Sequence, residues 1–190
     1  MPSPASPPPR PCAPSVAAWL QATGSLTARL RRHGEIRVRV LRQGTQRLWP
    51  QERQALHGSA GHVREVLLLV NGVPAVWARS STTLAARRGG WKAMTNLGNR
   101  PLADILFQTR SIARSPLRPF HIAPQGQVER SIRKHWRQYG QQHGQQHPAS
   151  QTGDAQKPLP RWGRSSVFVR KGQALRVFEA FAPWVLAMAV

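Results

Sequence analysis

The sequence predicts a single α+β domain that contains two antiparallel β-hairpins. Apolar runs flank two short turns, Asn71-Gly72 and Lys171-Gly172, and Asn-Gly between two such runs is a strong hairpin signal. Segments with helical patterning lie in the chain before and between these hairpins. A length of 190 residues is enough for one hydrophobic core, and seven Trp with 40% hydrophobic residues argue against general disorder.

The N-terminal part is predicted to run from a tail through two helices into a strand. Residues 1–14 are rich in Pro and Ser, and we expect a disordered tail there. Residues 16–34 read as two short helices separated at Gly24, with Ser25 as the N-cap of the second. Residues 35–46 alternate polar and apolar side chains, as a β-strand does.

The second half of the chain contains a predicted helix start and an insertion. Residues 91–107 read as a loop that enters a helix, with Pro101 at or near its first turn. Residues 119–160 are rich in Gln, His, Pro and basic side chains, so we expect a mobile, low-complexity basic insertion. One short basic helix, Val128 to Tyr139, is expected inside it.

Charge and cysteine content restrict the possible partners and the compartment. A formal net charge of +21 predicts an anionic partner, which can be a nucleic acid, an acidic membrane surface or a small anion. The lone cysteine, Cys12, fits a reducing compartment, and no export signal is evident at the N-terminus. The most apolar late stretch is ten residues long, too short to span a membrane. We therefore expect a cytoplasmic protein.

The first hairpin is expected to bring two arginines together. If the two-residue turn alone sets the register, Val70 opposes Val73 and Arg64 opposes Arg79 at the open end of an apolar face. Like charges that face each other are destabilising, so a shared anion between the two guanidinium groups is one explanation. The alternatives are that both side chains extend into solvent, or that one of them pairs with a nearby acid.

The second hairpin places a glutamate on an otherwise apolar face. The same register argument sets Arg164 opposite Glu179, which shares its face with Leu175, Val177 and Phe181. A cross-strand ion pair with Arg164 is one interpretation. The other is a functional carboxyl in an apolar pocket, with a raised pKa, that exchanges protons or hydrogen-bonds a hydroxyl group.

Six stretches in order resemble the chorismate pyruvate-lyase family, whose members make 4-hydroxybenzoate for ubiquinone. They are "GSLTARLR", "REVLLLVNGVPAVWARS", "LGNRPLADILF", "RSPL", "RWGRSS" and "LRVFEAF". The resemblance covers roughly residues 15–118 and 161–184, and we place the lyase-like domain at 15–118 and 161–190. It implies an antiparallel sheet flanked by helices, with two helical flaps over a buried ligand, and a monomer that needs no cofactor or metal.

The resemblance also implies roles for five residues, matched motif by motif. Arg64 would hold the ring carboxylate, and Leu26 and Leu102 would bind it through backbone amides. Glu179 would lie near the 4-oxygen, as general acid/base at the ether oxygen or as a hydrogen-bonding group. Arg79 would be a second arginine lining the site, and we expect it to hold the enolpyruvyl carboxylate. Each helix that begins near Leu26 or Leu102 would offer free backbone N–H groups to an anion.

Three other functions are weighed against this one. A nucleic-acid-binding protein would use the basic surface and the stretch "RSIRKHWRQYG", although no named nucleic-acid motif is present. A small-molecule sensor on the same fold would need a DNA-binding domain ahead of it, and residues 1–14 are too short for one. A metal site at His143 and His147 would have only two visible ligands, and Gly144 argues against a rigid helix there.

Overall fold

The fold is built on an antiparallel sheet that the hairpins predicted. We describe it from a computed structural model, which defines residues 14–107, 111–143 and 158–190. Within these ranges seven strands form one sheet in the order β1-β2-β3-β7-β6-β4, with β5 also paired to β6. The strands are β1 (Ile36–Arg47), β2 (Ala60–Val70), β3 (Val73–Thr83), β4 (Ala113–Arg114), β5 (Arg118–His121), β6 (Trp162–Arg170) and β7 (Gln173–Phe181).

Helices precede, connect and follow the strands and cover both faces of the sheet. They are α1 (Pro14–Gln21), α2 (Leu26–Arg31), α3 (Pro50–Leu56), α4 (Leu84–Arg88), α5 (Ala103–Leu106), α6 (Gln127–His143) and α7 (Pro183–Leu186), with a 3₁₀ helix at Lys92–Asn96. The break between α1 and α2 lies where the sequence predicted it. Ser25 is the N-cap of α2, and its side chain accepts a hydrogen bond from the Ala28 backbone N–H at 3.2 Å.

Both predicted hairpin turns are confirmed by their backbone angles. Asn71 and Gly72 have φ values of 50° and 79°, and Lys171 and Gly172 have values of 50° and 71°. Two successive residues with positive φ define the turn whose twist matches that of the flanking strands. The register of β6 and β7 is also confirmed, because Arg170 lies opposite Gln173 and Arg164 lies opposite Glu179.

The predicted register of the first hairpin is wrong beyond its first two pairs. Val70 faces Val73 and Leu69 faces Pro74, but a bulge then shifts the pairing by one residue. Pro74 has no N–H to donate to the ladder, which is the physical reason for a bulge at this point. Arg64 therefore pairs with Ser80, and Arg79 is one position further along, on the opposite face of the sheet.

The predicted insertion at 119–160 begins inside the folded domain. Within it, β5 pairs with β6, and α6 extends beyond the short helix that the sequence predicted. Ile132, Trp136 and Tyr139 of α6 are all buried in the main hydrophobic core. The expectation of a mobile, separate segment is therefore wrong for its described residues. Pro14, the last residue of the predicted tail 1–14, begins α1. The rest of that tail, with Cys12, and residues 144–157 of the insertion lie outside the described part.

No helix in the described ranges has both the length and the apolar content that a membrane crossing requires.

Candidate active site

A cavity lies between one face of the sheet and the helices α2 and α5. About 590 Å³ of space between its lining residues is not filled by protein atoms, and this includes space open to solvent. Its floor is mostly apolar side chains from five strands: Val38, Val66, Leu68, Ala78, Phe168 and Val177. α2 and α5 contribute Leu26, Thr27, Ala103 and Leu106 from above. α2 and α5 therefore cover the cavity on the side away from the sheet.

Arg64 is a buried cation in this cavity. Its side chain is only 2% exposed, and burial lowers its pKa. Nη1 donates a hydrogen bond to Oε1 of Gln43 at 2.7 Å, and Nη2 donates to the Arg100 carbonyl at 3.1 Å. None of the carboxylates in the described ranges forms an ion pair with it. A buried charge without a counter-ion is costly, so the site favours an anionic ligand.

Glu179 and Arg164 form an ion pair at another wall of the cavity. Arg164 Nε donates to Glu179 Oε2 at 2.6 Å, and Arg164 is 1% exposed. Its Nη1 also donates to the carbonyls of Trp19 at 3.0 Å and Ala22 at 2.7 Å, which joins this pair to the end of α1. The cross-strand pair predicted from the sequence is therefore present, and it points into the cavity.

Arg64 and Glu179 lie on the same face of the sheet at opposite ends of a short diagonal. Arg64 pairs with Ser80, which pairs with Val177, and Glu179 is two positions along β7 from Val177. The step from Arg64 to Glu179 crosses two strand spacings and moves two residues along a strand, which separates their Cα atoms by roughly 12 Å. Both residues also line the cavity, so a ligand in it can contact the two side chains together.

Leu26 and Leu102 line the cavity at the two covering helices, as the sequence reasoning expected of both residues. Leu26 is the first residue of α2, and Leu102 is the N-cap of α5. Arg64 binds the carbonyl of Arg100, two residues before Leu102, so the guanidinium group holds the loop that leads into α5. The structure thus brings Arg64, Leu26, Leu102 and Glu179 to one cavity.

Arg79 is not at this cavity, and the prediction that it lines the ligand site is wrong. Its Nε and Nη2 donate to the two carboxylate oxygens of Glu52 at 2.6 and 2.8 Å, and Nη1 donates to Glu65 Oε1 at 2.5 Å. The guanidinium carbon also lies 3.9 Å from the centroid of the Trp49 ring. Arg79 is 2% exposed on the opposite face of the sheet, where it pairs with acids rather than with Arg64.

The same ionic cluster includes a histidine from α6. His135 Nε2 lies 3.3 Å from Glu65 Oε2. Burial alone would raise the pKa of Glu65, but the hydrogen bond from His135 and the charge of Arg79 outweigh it and lower that pKa. The cluster therefore holds α3 and α6 against the face of the sheet opposite the cavity.

Sequence reasoning missed one cavity arginine. Arg114, in the stretch "RSPL", lies on the two-residue strand β4 and lines the cavity near Phe168. The motif was recognised, but β4 is too short for periodicity to show which side chain faces inward. A basic residue next to a strand-like pair of apolar positions was the only available signal.

A metal site is not supported by the described residues. Within the described ranges, no three His, Cys, Asp or Glu side chains converge as metal ligands would. His143 is the last residue of α6, and His147 lies outside the described part of the chain.

A cavity that holds a buried arginine with no carboxylate partner among the described residues, together with an ion-paired glutamate, suits a small anionic molecule. Comparison with known proteins identifies the family. The sequence model of the family "Chorismate lyase" matches residues 10–133. The chain therefore belongs to the chorismate lyase family, and it is an enzyme of the lyase class.

Curated relatives agree with this assignment over most of the chain. A probable chorismate pyruvate-lyase from Albidiferax ferrireducens is 40% identical over 174 residues, covering 87% of this chain and 82% of the relative. One from an Azoarcus species is 37% identical over 186 residues, covering 95% of this chain and 90% of the relative. One from Bordetella avium is 36% identical, covering 87% of this chain and 75% of the relative.

Solved structures resemble the fold at low sequence identity. A transcriptional regulator of the GntR family from Bacillus cereus aligns with a TM-score of 0.51 and 8% identity, covering 83% of this chain and 98% of the regulator. A possible transcriptional regulator from Bacillus subtilis aligns with a TM-score of 0.50 and 10% identity, covering 82% of this chain and 61% of the regulator. At these identities the likeness shows a shared fold only.

Proposed function

We propose that the protein eliminates pyruvate from chorismate and releases 4-hydroxybenzoate. The observation that carries this proposal is Arg64, a buried guanidinium group that no carboxylate of the described ranges pairs with, in a cavity that also presents Glu179. Chorismate is a six-membered ring with a carboxylate at one end and a hydroxyl group at the other. The names of the curated relatives support the same substrate.

The ring carboxylate binds at the Arg64 end of the cavity. Arg64 is already oriented by Gln43 and the Arg100 carbonyl, so little side-chain freedom is lost when the ligand binds. The backbone amides at Leu26 and Leu102 complete the carboxylate site, as the family resemblance implies. This arrangement fixes the ring between α2 and α5 and directs its far end toward Glu179.

Glu179 acts at the end of the ring where bonds change. It accepts a hydrogen bond from the 4-hydroxyl group and removes the proton from C4. The electrons of that C–H bond become part of the aromatic ring while the C3–O bond to the enolpyruvyl group breaks. The leaving enolpyruvate gains a proton on its methylene carbon and becomes pyruvate. Arg164 holds the Glu179 carboxylate in place for this step.

The overall reaction is redox-neutral, so its balance needs no cofactor. Aromatisation of the ring makes it strongly downhill, and positioning together with electrostatic stabilisation supplies the catalysis. We further propose that the product enters ubiquinone biosynthesis and that the protein acts as a cytoplasmic monomer. The lone cysteine fits that compartment.

The test is to incubate the protein with chorismate and measure 4-hydroxybenzoate and pyruvate together. We expect equal amounts of both products from the wild type. Glu179→Gln should lower kcat by roughly 100-fold or more, because the amide keeps a hydrogen-bonding group but is not a base. A loss below tenfold would instead make Glu179 a hydrogen-bonding group only.

The matched control is Glu35→Gln, which makes the same chemical change at an exposed residue paired with Arg37. It should leave turnover unchanged. Circular dichroism of the Glu179 variant separates a catalytic loss from unfolding. A wild-type protein that makes neither product would contradict the proposed function.

A further inference from the structure

Two arginines of the cavity have no carboxylate partner among the described residues. One is Arg64, and the other is Arg114, whereas Arg164 is paired with Glu179. We propose that Arg114 binds the second carboxylate of the substrate, that of the enolpyruvyl side chain, and thereby distinguishes the dianionic substrate from the monoanionic product. This inference rests on the proposed function, and it assigns a residue that the sequence analysis did not identify.

The local contacts of Arg114 hold its guanidinium group in a fixed orientation. Nε donates a hydrogen bond to Ser166 Oγ at 3.1 Å, and the guanidinium carbon lies 4.9 Å from the centroid of the Phe168 ring. Within the described part of the chain, neither terminal nitrogen has a hydrogen-bond partner. The two terminal N–H groups therefore form a free fork of the geometry that a carboxylate accepts.

The charges around Arg114 leave it available for an anion. Burial lowers its pKa, the charge of Glu179 opposes this effect and the charge of Arg164 adds to it. Glu179 is bound to Arg164 at 2.6 Å, so its charge is already compensated. Arg114 thus remains a half-buried cation beside a neutralised pair, and binding a carboxylate offsets its desolvation.

The position of Arg114 in the sheet suits a contact with the enolpyruvyl group, which projects from the middle of the ligand. Arg64 is on β2, and Arg114 is on β4 at the other end of the strand order, with the Glu179 strand β7 between them. The enolpyruvyl group is attached at C3, next to the C4 position that faces Glu179. Arg114 pairs with Phe168, and its Nε reaches Ser166, which lies opposite Val177, two positions from Glu179 along β7. A ligand anchored at Arg64 can therefore direct this group toward the β6–β4 edge.

The corrected place of Arg79 leaves this role open for Arg114. Arg79 was the expected partner of the enolpyruvyl carboxylate, but it lies on the opposite face of the sheet with Glu52 and Glu65. The substrate carries two carboxylates, and Arg64 is assigned to only one of them. Among the described cavity residues, Arg114 is the remaining cation that has no acid bound to it.

The test compares substrate turnover with product binding in matched variants. Arg114→Gln should lower kcat/KM for chorismate by roughly 100-fold, because it removes a charge-assisted contact that substrate makes. Its Kd for 4-hydroxybenzoate should stay within about threefold, since this product has lost the second carboxylate. Arg114→Lys should recover part of kcat/KM because it restores the charge without the fork.

Two further variants serve as controls. Arg64→Gln should weaken both chorismate turnover and 4-hydroxybenzoate binding, because both molecules carry the ring carboxylate. Arg118→Gln removes an equal charge from an exposed position on β5 and should change neither measurement. An Arg114→Gln variant that keeps its kcat/KM, or that loses substrate and product affinity equally, would overturn the proposal.

Failure of the proposed function gives a different result. In that case wild-type protein would not release 4-hydroxybenzoate or pyruvate from chorismate. The assignment of Arg114 is then judged from equilibrium binding of chorismate alone. Selective loss of chorismate binding in Arg114→Gln supports it, and equal loss of chorismate and 4-hydroxybenzoate binding contradicts it.

Discussion

Arg79 is bound by Glu52 through two parallel hydrogen bonds, of 2.6 Å from Nε to Oε1 and 2.8 Å from Nη2 to Oε2. Both side chains are almost completely buried, at 2% and 1% exposure. Glu65 occupies the remaining Nη1 donor of the same guanidinium group. Each of the three guanidinium nitrogens of Arg79 thus donates to a carboxylate on the face opposite the cavity, which makes Arg79 a structural residue that joins α3 to the sheet.

Arg79→Met should therefore destabilise the fold without removing the chemistry. The substitution leaves Glu52 buried without its counter-ion and leaves Glu65 with His135 alone, at a cost of about 3–5 kcal/mol. We expect a clearly lower urea midpoint, while kcat per folded molecule stays within a few-fold of wild type. Equilibrium unfolding and active-site-corrected turnover, measured on the same sample, check both parts.

A triple variant shows how much of the stability lost in Arg79→Met comes from uncompensated charge and how much from lost packing. Adding Glu52→Gln and Glu65→Gln to Arg79→Met removes the uncompensated charges and should recover part of the stability. An Arg79→Met protein with wild-type stability and no turnover would show that Arg79 takes part in catalysis after all.

The two hairpins show what local sequence does and does not determine about register. The turn at Lys171-Gly172 is followed by regular pairing, so counting from the turn placed Arg164 opposite Glu179 correctly. The turn at Asn71-Gly72 is equally regular, but Pro74 interrupts the ladder three residues after Asn71. A one-residue shift exchanges the two faces of a strand, and this moved Arg79 from the expected site to the opposite side.

The candidate site was predictable where long strands carry its residues. Arg64 and Glu179 lie within strands of eleven and nine residues, and their alternation showed which side chains share a face. Arg114 lies on a two-residue strand whose inward side depends on pairing with β6, which is distant in sequence. Contacts of that kind are set by tertiary packing and leave no local periodic signal.

Arg64 should make the binding of aromatic ligands depend on a carboxylate. We expect 4-hydroxybenzoate to raise Tm, since a ligand at one hundred times its Kd stabilises the folded state by about 2.7 kcal/mol. The neutral 4-hydroxybenzamide, matched in shape, should give a much smaller shift because it leaves the Arg64 charge unpaired. Thermal unfolding with graded concentrations of each ligand makes the comparison.

The Arg64→Gln variant should abolish this difference between the two ligands. With the charge removed, the acid loses its advantage, and the amide becomes equal to it or better. Equal shifts by the acid and the amide in the wild type would contradict an anion site at Arg64.

His62 should make stability fall as the pH is lowered from neutral. Its side chain is 3% exposed, and neither ring nitrogen has a hydrogen-bond partner among the described residues. Burial, with added repulsion from Arg87 and Arg64, lowers the pKa of His62 in the folded protein. The unfolded chain therefore binds more protons between that lowered pKa and the ordinary value of about 6.5, so stability decreases through this window as pH falls.

His62→Leu is the corresponding test, because it replaces the imidazole with an apolar side chain that has no proton to gain. Urea midpoints at pH 7.5 and pH 5.5 should differ less in the variant than in the wild type. The variant should also retain its stability at neutral pH, since it removes two buried polar atoms that lack partners. An unchanged pH dependence would show that His62 is not the group responsible.

Trp136 should prove essential to stability even though it lies in the segment that the sequence marked as a separate insertion. It is 7% exposed, and it packs in the main core together with Ile132 and Tyr139 of the same helix. These three residues follow the i, i+4, i+7 spacing of one helical face, which the surrounding Gln, His and Arg residues obscured.

Trp136→Ala should cost about 3–5 kcal/mol because it leaves a large cavity between α6 and the sheet. Trp136→Phe should cost much less, since it keeps most of the apolar volume and removes an indole N–H that has no partner among the described residues. Arg137→Ala, at the next position and exposed, should change stability by less than about 0.5 kcal/mol. Equal, small effects of all three substitutions on the urea midpoint would mean that α6 is dispensable for the fold and that the boundary drawn from the sequence was right.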